Sequence, residues 1–303
     1  MATDKIGIVT VTYNSAGFLA EFEQSLRGQM HANWTVYCID NASADATPAL
    51  LGAMDDPRWR ITLNEINTGV AAGNNQGILQ ALQDGCDWVL LLNNDTSFDP
   101  RFLEQLLEGC RSRQWRVAVP KIHFDEPKGH IWYGGGGFNP RRGHTGFHTG
   151  IGEPDEGQFD AVKTVTYSPT CAMIVARDIF SEVGLMDESY FVYFDDTDFC
   201  LRLERAGIQI GYWPEATLIH KVGGSTGGGA SSFTAKMTSR NRLYYLRKHF
   251  GTLAALAWLP VFLVYYFVEH GLLKRNLAAL KASFKGTFSY FAMRPHEPRL
   301  DPL

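Results

Sequence analysis

The sequence predicts an α/β protein: a mostly parallel mixed sheet flanked by helices, with a C-terminal helical extension. Three observations carry that expectation. Strand-like and helix-like segments alternate through the first 120 residues. One strand-like run, "WVLLLN" at 88–93, is apolar on both faces, as a strand covered on both sides must be. Short polar clusters close the runs one after another, and in parallel strands such ends share one edge.

Taken in order, Ile6–Thr12, Trp34–Asp40, Trp59–Asn64 and Trp88–Asn93 read as strands, and helical patterns near 17–29, 47–54, 70–84 and 100–112 give a βαβ series. "VAVPKI" at 117–122 adds a strand. Residues 123–160 are rich in Gly, His and Arg, contain "GGGG" at 134–137 and keep no period, which predicts an irregular insertion with short strands. A strand at Ser168–Val175, a helix near 177–183, the stretch "YFVYFDDTDFCLRLERAG" and a strand near Thr217–His220 follow. The block "KVGGSTGGGASS" is expected to be mobile.

Composition narrows the function classes. At 303 residues the chain can bury a large core, and 45% apolar with 20% charged residues is ordinary for a globular protein. A formal charge of −4 argues against a nucleic-acid partner. Cys38, Cys86, Cys110, Cys171 and Cys200 lie far apart, mostly inside apolar stretches, which reads as core packing in a reducing compartment. "MATDKIGIVTVTYNS" enters a strand without a secretory signal, so the expected location is cytoplasmic. The Gly-rich block lacks a Gly-Lys-Ser/Thr ending, and "TYNSAG" lacks the Gly-x-Gly-x-x-Gly turn of dinucleotide-binding folds.

The polar clusters are "TYNS" (12–15), "DNASADAT" (40–47), "NTGVAAGNNQG" (67–77) and "NNDT" (93–96). Alone, Asn93, Asn94 and Asp95 read equally as a turn before a helix starting at Asp99-Pro100. Four clusters at one edge favour a polar ligand site, where Asp40 can accept from a base or ribose hydroxyl and Asn41, Ser43 and Asn75 add hydrogen bonds. Asp195, Asp196 and Asp198 open a helix. They either complement its dipole or supply a general base, because closely spaced carboxylates resist joint ionisation. His220, alone, is an ordinary polar residue.

The series "TVTYNS", "IDNASAD", "NTGVAAGNNQG", "LLLNNDT" and "YFVYFDDTDFCLRLERAG" resembles, over about residues 1–250, the inverting family 2 glycosyltransferases of GT-A fold, especially rhamnosyltransferase-like members. The resemblance implies a catalytic domain at 1–235, with a nucleotide-binding half (1–120) and an acceptor and catalytic half (121–235), before a helical region at 236–303. It implies that Thr12, Tyr13, Asn14 and Asp40 line the nucleotide pocket, with Asn41, Ser43, Asn67, Gly69, Asn75, Asn93 and Asn94 in the donor-binding set. Asp95 matches the last carboxylate of the family's Asp-x-Asp motif, where Asn93 departs from the first. His220 would complete a Mg²⁺ or Mn²⁺ site with Asp95. Asp196 matches the base, with Asp195 as fallback. Lys221 would neutralise the leaving diphosphate, and Arg240, in "TSRNRLYYLRKHF", would contact phosphate or acceptor, the alternative being a solvated basic helix face.

The implied reaction is transfer from a nucleotide-diphosphate sugar, dTDP-rhamnose first and UDP-hexoses or UDP-galactofuranose next, to a glycan or lipid-linked acceptor in surface-polysaccharide synthesis. Two other classes compete. A nucleotidyltransferase would carry a basic Gly-rich loop where "TYNSAG" stands, and an inactive glycan-binding scaffold would tolerate Asn93.

At the C-terminus, "TLAALAWLPVFLVYYFV" (252–268) is uncharged, near the ~17–25 residues a membrane span needs, and interrupted by Pro260. Leu273, Leu277, Leu280 and Phe284 then recur at helical spacing, with Lys274, Lys281 and Lys285 on another face. Attachment to an anionic membrane surface, on the cytoplasmic face of the inner membrane, is the expectation. A hairpin packed on the catalytic domain or a second subunit in a homo-oligomer is the alternative.

Overall fold

The computed structural model describes residues 4–221 and 231–294, so most of the Gly-rich block, 222–230, lies outside the described residues. Strands β1 (Ile6–Thr12), β2 (Trp34–Asp40), β3 (Trp59–Leu63) and β4 (Trp88–Leu92) alternate with helices α1 (Leu19–Arg27), α2 (Thr47–Gly52) and α3 (Val70–Gln83). A short β5 (Thr96–Phe98), α4 (Phe102–Arg113) and β6 (Val117–Phe124) follow. The insertion contributes β7 (Ile131–Tyr133), β8 (Gly136–Asn139), β9 (Thr145–His148) and β10 (Lys163–Val165). Then come β11 (Ala172–Ala176), α5 (Ile179–Val183), α6 (Asp195–Arg205) and β12 (Ile210–His220). The C-terminal helices are α7 (Ser232–Phe250), α8 (Thr252–Tyr266) and α9 (Leu277–Ser289).

Ten strands form one mixed sheet in the order β10-β12-β6-β11-β4-β1-β2-β3, with β5 on β12 and β7 on β6. The strands β1 to β4, β6 and β12 run one way. Their carboxyl ends therefore share an edge, with Thr12 paired to Asp40 in register. Leu90, Leu91 and Leu92 of β4 are buried on both faces, as their continuous apolar run requires. All five cysteines are free and buried.

Three local readings differ from expectation. Strand β11 begins at Ala172, not Ser168, because Pro169 interrupts the run and the Ser168 amide turns to Cys200 Sγ. Strand β12 begins seven residues before Thr217, and Pro214 is tolerated because the register shifts between Trp213 and Thr217, where a ladder N–H is not needed. Pro260 lies inside α8 without ending it, and the helix runs on into a π-helical segment, Phe267–Leu273.

The C-terminal amphipathic pattern also packs otherwise than its apolar spacing predicts. The buried positions of α9 are Ala279, Ser283, Gly286 and Thr287, whereas Leu273 and Leu277 face outward. Small residues win because α9 lies tightly on α7: a Cβ at Gly286 would stand 2.1 Å from the Lys236 carbonyl oxygen and 2.3 Å from Ser239 Oγ. These helices share a second apolar core with Tyr190, Phe194 and Leu201, so the chain beyond 235 packs directly onto the turn that leads into α6.

Candidate active site

The carboxyl edge gathers the predicted polar ends. Asp40, almost fully buried at the end of β2, accepts from Thr12 Oγ1 at 2.8 Å, Ser43 Oγ at 2.6 Å and the Ser43 amide at 3.0 Å. Two of those bonds fall on Oδ1 and one on Oδ2, so the carboxylate is fixed and Oδ2 keeps acceptor capacity for a ligand donor. Asn14, at φ 52°, exchanges hydrogen bonds with the next loop: its amide donates to Ser43 Oγ, and its Oδ1 accepts from the Ala44 amide. Tyr13 stands exposed beside them.

Asn41 ties the third strand end to this floor. Its Nδ2 donates to the Gly69 carbonyl at 2.9 Å, and its Oδ1 accepts from Asn64 and Thr68. Asn67 Oδ1 accepts the Gly69 amide. Gly69 has φ 88°, and a Cβ there would meet Phe191 O at 2.5 Å, so the position requires glycine on both counts.

At the end of β4, Asn93 is exposed while Asn94 and Asp95 are buried. Asn94 Nδ2 donates to the Val11 carbonyl at 2.6 Å, leaving its buried Oδ1 without a partner. Asp95 Oδ1 lies 3.2 Å from His220 Nε2 but is not aligned as a hydrogen bond, so it too is an unpaired buried oxygen. Burial pulls the His220 imidazole down, yet the adjoining Cys171 and Asp95 outweigh it and push it up to about 10. The Lys221 amide donates to the Asp95 carbonyl at 2.9 Å, and its ammonium pairs with Glu21.

Asp195 and Asp196 open α6. Asp195 is buried; burial first, then the neighbouring Asp196 carboxylate, raise it above the usual carboxylate range. Asp196 is half-buried and also raised by burial, while the Tyr167 hydroxyl, donating to Oδ2 at 2.9 Å, and Thr197 oppose the rise. Asp198 differs. Burial would raise it, but His249, Arg202 and Lys248 surround it and hold it well below the ordinary range. It anchors the helix and is already fully engaged.

Two predicted donor contacts point elsewhere. Asn75 is buried, exchanging hydrogen bonds with the Met186 backbone and donating to Glu188. Arg240 donates to the Ser189 and Tyr190 carbonyls at 3.1 and 2.7 Å and to Asn241 Oδ1 at 2.8 Å. Both side chains spend these hydrogen bonds on residues 186–190 or on a neighbour in α7. The residues that sequence reasoning passed over include Tyr167 beside Asp196. Trp132 is another, its ring 4.4 Å from that of His220 and 4.6 Å from that of His148. The aromatic residue in "YSPT" and the Trp in the "HIWYGGGG" insertion were the only available signals.

The fold thus carries fixed polar groups at one strand edge, an adjacent Asp and His, and a raised carboxylate at a helix start. The chain belongs to glycosyl transferase family 2, whose sequence profile matches residues 7–184, and its fold is GT-A. Among curated relatives, the N-acetylglucosaminyl-diphospho-decaprenol L-rhamnosyltransferase of Mycobacterium tuberculosis is 27% identical over 82% of this chain and 86% of its own length. The dTDP-rhamnosyl transferase RfbF of Shigella flexneri is 27% identical over 52% of this chain and 50% of its own. Among solved structures, GalNAc-T7 with UDP, GalNAc and Mn²⁺ superposes with a TM-score of 0.64 at 14% identity, over 80% of this chain and 48% of that one.

The Tyr167–Asp196 bond gives a direct test. A hydroxyl donating to a carboxylate stabilises its charged form, so removing it raises the pKa. Tyr167→Phe is therefore expected to move the acid limb of the kcat–pH profile upward by about one unit, the equivalent of ~1.4 kcal/mol. A profile that stays in place would show that Asp196 does not set this limb.

Proposed function

We propose that this protein is an inverting glycosyltransferase that moves a sugar, with rhamnose from dTDP-rhamnose as the first candidate, to a glycan or lipid-linked acceptor in surface-polysaccharide synthesis. The observation that carries the reading is Asp196, which is raised above its usual range and accepts a hydrogen bond from Tyr167, on a fold that also brings Asp95 beside His220. The rhamnosyltransferase names among its relatives support the choice of sugar.

In the reaction, the acceptor hydroxyl gives its proton to Asp196 while its oxygen forms a bond to the anomeric carbon. The carbon–oxygen bond to the nucleotide diphosphate breaks and its electron pair leaves with the phosphate. A single displacement inverts the configuration, and no enzyme nucleophile is needed. Asp40, Thr12 and Ser43 hold the nucleotide end, with Tyr13 exposed beside it. Asn14, Asn41, Asn67 and Gly69 keep these loops in place.

Asp95 and His220 fit a divalent cation. One hard carboxylate oxygen and one imidazole suit Mn²⁺ or Mg²⁺, and the buried, unpaired oxygens of Asp95 and Asn94 lie at the same corner. Among the described residues no cluster of three acidic, His or Cys side chains surrounds it, so the donor diphosphate and water would supply the remaining ligands. When bound, the ion would neutralise charge on the departing diphosphate. Exposed Asn93 lies beside this corner as a neutral hydrogen-bonding group.

The C-terminal helices support attachment to an anionic membrane surface. Thr252–Leu273 is long and apolar enough to cross a membrane by length and composition. Twelve of the twenty-two large apolar side chains exposed among the described residues, including Leu253, Val264, Phe267, Leu273 and Leu277, lie between 253 and 291, so the outward apolar surface is concentrated here. Between 252 and 294 one acid, Glu269, stands against Lys274, Arg275, Lys281, Lys285 and Arg294. A lipid-linked acceptor would be presented at such a surface.

Three measurements test these readings. Asp196→Asn should lower transfer by ~10² to 10⁴ while nucleotide-sugar binding persists, as loss of a general base requires. Turnover near wild type would remove Asp196 from the mechanism. Asp95→Ala and His220→Ala should each weaken Mn²⁺-dependent donor binding, seen as a reduced thermal shift, and the double variant should lose little more. Losses that add and do not depend on Mn²⁺ would reject the shared site. Binding to phosphatidylglycerol-containing vesicles should exceed binding to phosphatidylcholine vesicles and fall with salt, each basic residue contributing ~1 kcal/mol near the surface. Indifference to vesicles together with self-association would make the apolar face a subunit interface.

A further inference from the structure

The turn between the 3-10 segment Glu188–Tyr190 and α6 carries three large aromatic residues in the left-handed region: Phe191 (φ 66°), Tyr193 (φ 64°) and Phe194 (φ 70°). Side chains of this size rarely adopt such φ values, so surrounding contacts must enforce them. Asp195 and Asp196 follow immediately, and the direction in which the turn leaves Phe194 sets where both carboxylates point.

The enforcing contacts come chiefly from α7. Asn241, fully buried, aims Nδ2 at three carbonyl groups of the turn: Tyr190 at 3.0 Å, Val192 at 2.8 Å and Tyr193 at 2.8 Å. Its Oδ1 accepts Arg240 Nε at 2.8 Å, which fixes the amide so that the nitrogen faces the turn. Arg240 Nη2 holds the Ser189 and Tyr190 carbonyls. The other side of the turn closes on the donor half of the fold, where the Phe191 carbonyl accepts the Val70 amide at 2.6 Å at the start of α3. Phe191 also packs against Gly69, the residue held by Asn41.

From this geometry we infer that Asn241, braced by Arg240, is a positioning residue that aims the Asp195–Asp196 pair at the acceptor by clamping the strained turn before it. The inference rests on Asp196 being the base, as proposed above. Neither side chain touches substrate. The clamp acts on the orientation of Asp196, so its loss should affect turnover and leave nucleotide binding, built from Asp40, Thr12 and Ser43, unchanged. It should also let water reach the carboxylates. The titratable groups that act on Asp196 are Asp195 on its own helix, Tyr167 on the segment before β11 and Cys200 of α6. Arg202 from α6 and Lys248 and His249 from α7 reach only as far as Asp198. Easing burial while these neighbours stay in place stabilises the charged form.

The test compares Asn241→Ala and Arg240→Lys with the intact chain. For Asn241→Ala we expect kcat to fall by ~10- to 100-fold, the scale of a misplacement near 1 Å. Nucleotide-diphosphate affinity should stay within about twofold, and the acid limb of the kcat–pH profile should move to lower pH. Arg240→Lys, which keeps the charge and loses the planar fork, should show the same signature with a loss of about threefold to tenfold. An unchanged kcat, or a fall in kcat matched by lost nucleotide affinity with an unmoved pH profile, would overturn the inference. If Asn241→Ala does not fold, Arg240→Lys decides alone, a wild-type kcat and pH profile counting against the clamp. The two readings fail separately: an active Asp196→Asn enzyme removes the base itself, whereas an inactive one beside a fully active Asn241→Ala removes only the clamp.

Discussion

The joining of α6 to α7 depends on one buried carboxylate. Asp198, fully inaccessible, receives Arg202 Nε at 2.9 Å from its own helix, and Lys248 Nζ and His249 Nε2, both at 2.7 Å, from α7. Lys248 also reaches Asp187 at 2.7 Å, which in turn accepts the Tyr244 hydroxyl. A buried carboxylate held by two cationic side chains and an imidazole is stable only while all stay in place, and removing a partner of a buried ion pair costs about 3–5 kcal/mol. The network is therefore a poor source of net stability and a strong source of geometry. It joins the start of α6 to a helix some fifty residues later in the chain.

The site divides its labour according to what each element can do. Parallel strand ends supply fixed polar atoms, because the buried strands behind them do not move; Asp40, Asn41, Asn94 and Asp95 all hang from such ends. The raised carboxylate of Asp196 is carried differently, on a helix start reached through a strained turn. There burial raises Asp196 while the Tyr167 hydroxyl and Thr197 hold its two oxygens.

How much of this was legible follows from the kind of force involved. Strands β1 to β4 fall within a residue of their expected bounds, because burial on both faces writes an apolar run directly into sequence. Asp40, Asp95 and His220 were legible as polar residues at strand ends. Asn75 and Arg240 were assigned to a ligand because a side chain that binds a backbone carbonyl and one that binds a sugar phosphate are chemically alike; only the fold shows that the acceptors are Met186, Ser189 and Tyr190. Tyr167 and Asn241 act across tertiary contacts and leave no periodic trace. In α9 an apolar spacing suggested the buried face, but the close approach to α7 selected Ser283, Gly286 and Thr287 instead.

That selection has a structural consequence for the C-terminal region. Small residues bring α9 against α7, which forces the large apolar side chains of the same segment outward. Helix α7 is thus shared: one part seats the outward-facing apolar helices, and another presents Arg240 and Asn241 to the turn before α6. A rigid helix of nineteen residues has no hinge of its own, and Gly251 at its end is the first break. Contact between the apolar helices and whatever covers them would therefore bear on the same rigid element that holds the Asp196 turn. The exposed C-terminal face and the turn before Asp196 are thus both tied to one helix, although the sequence presents them as separate regions.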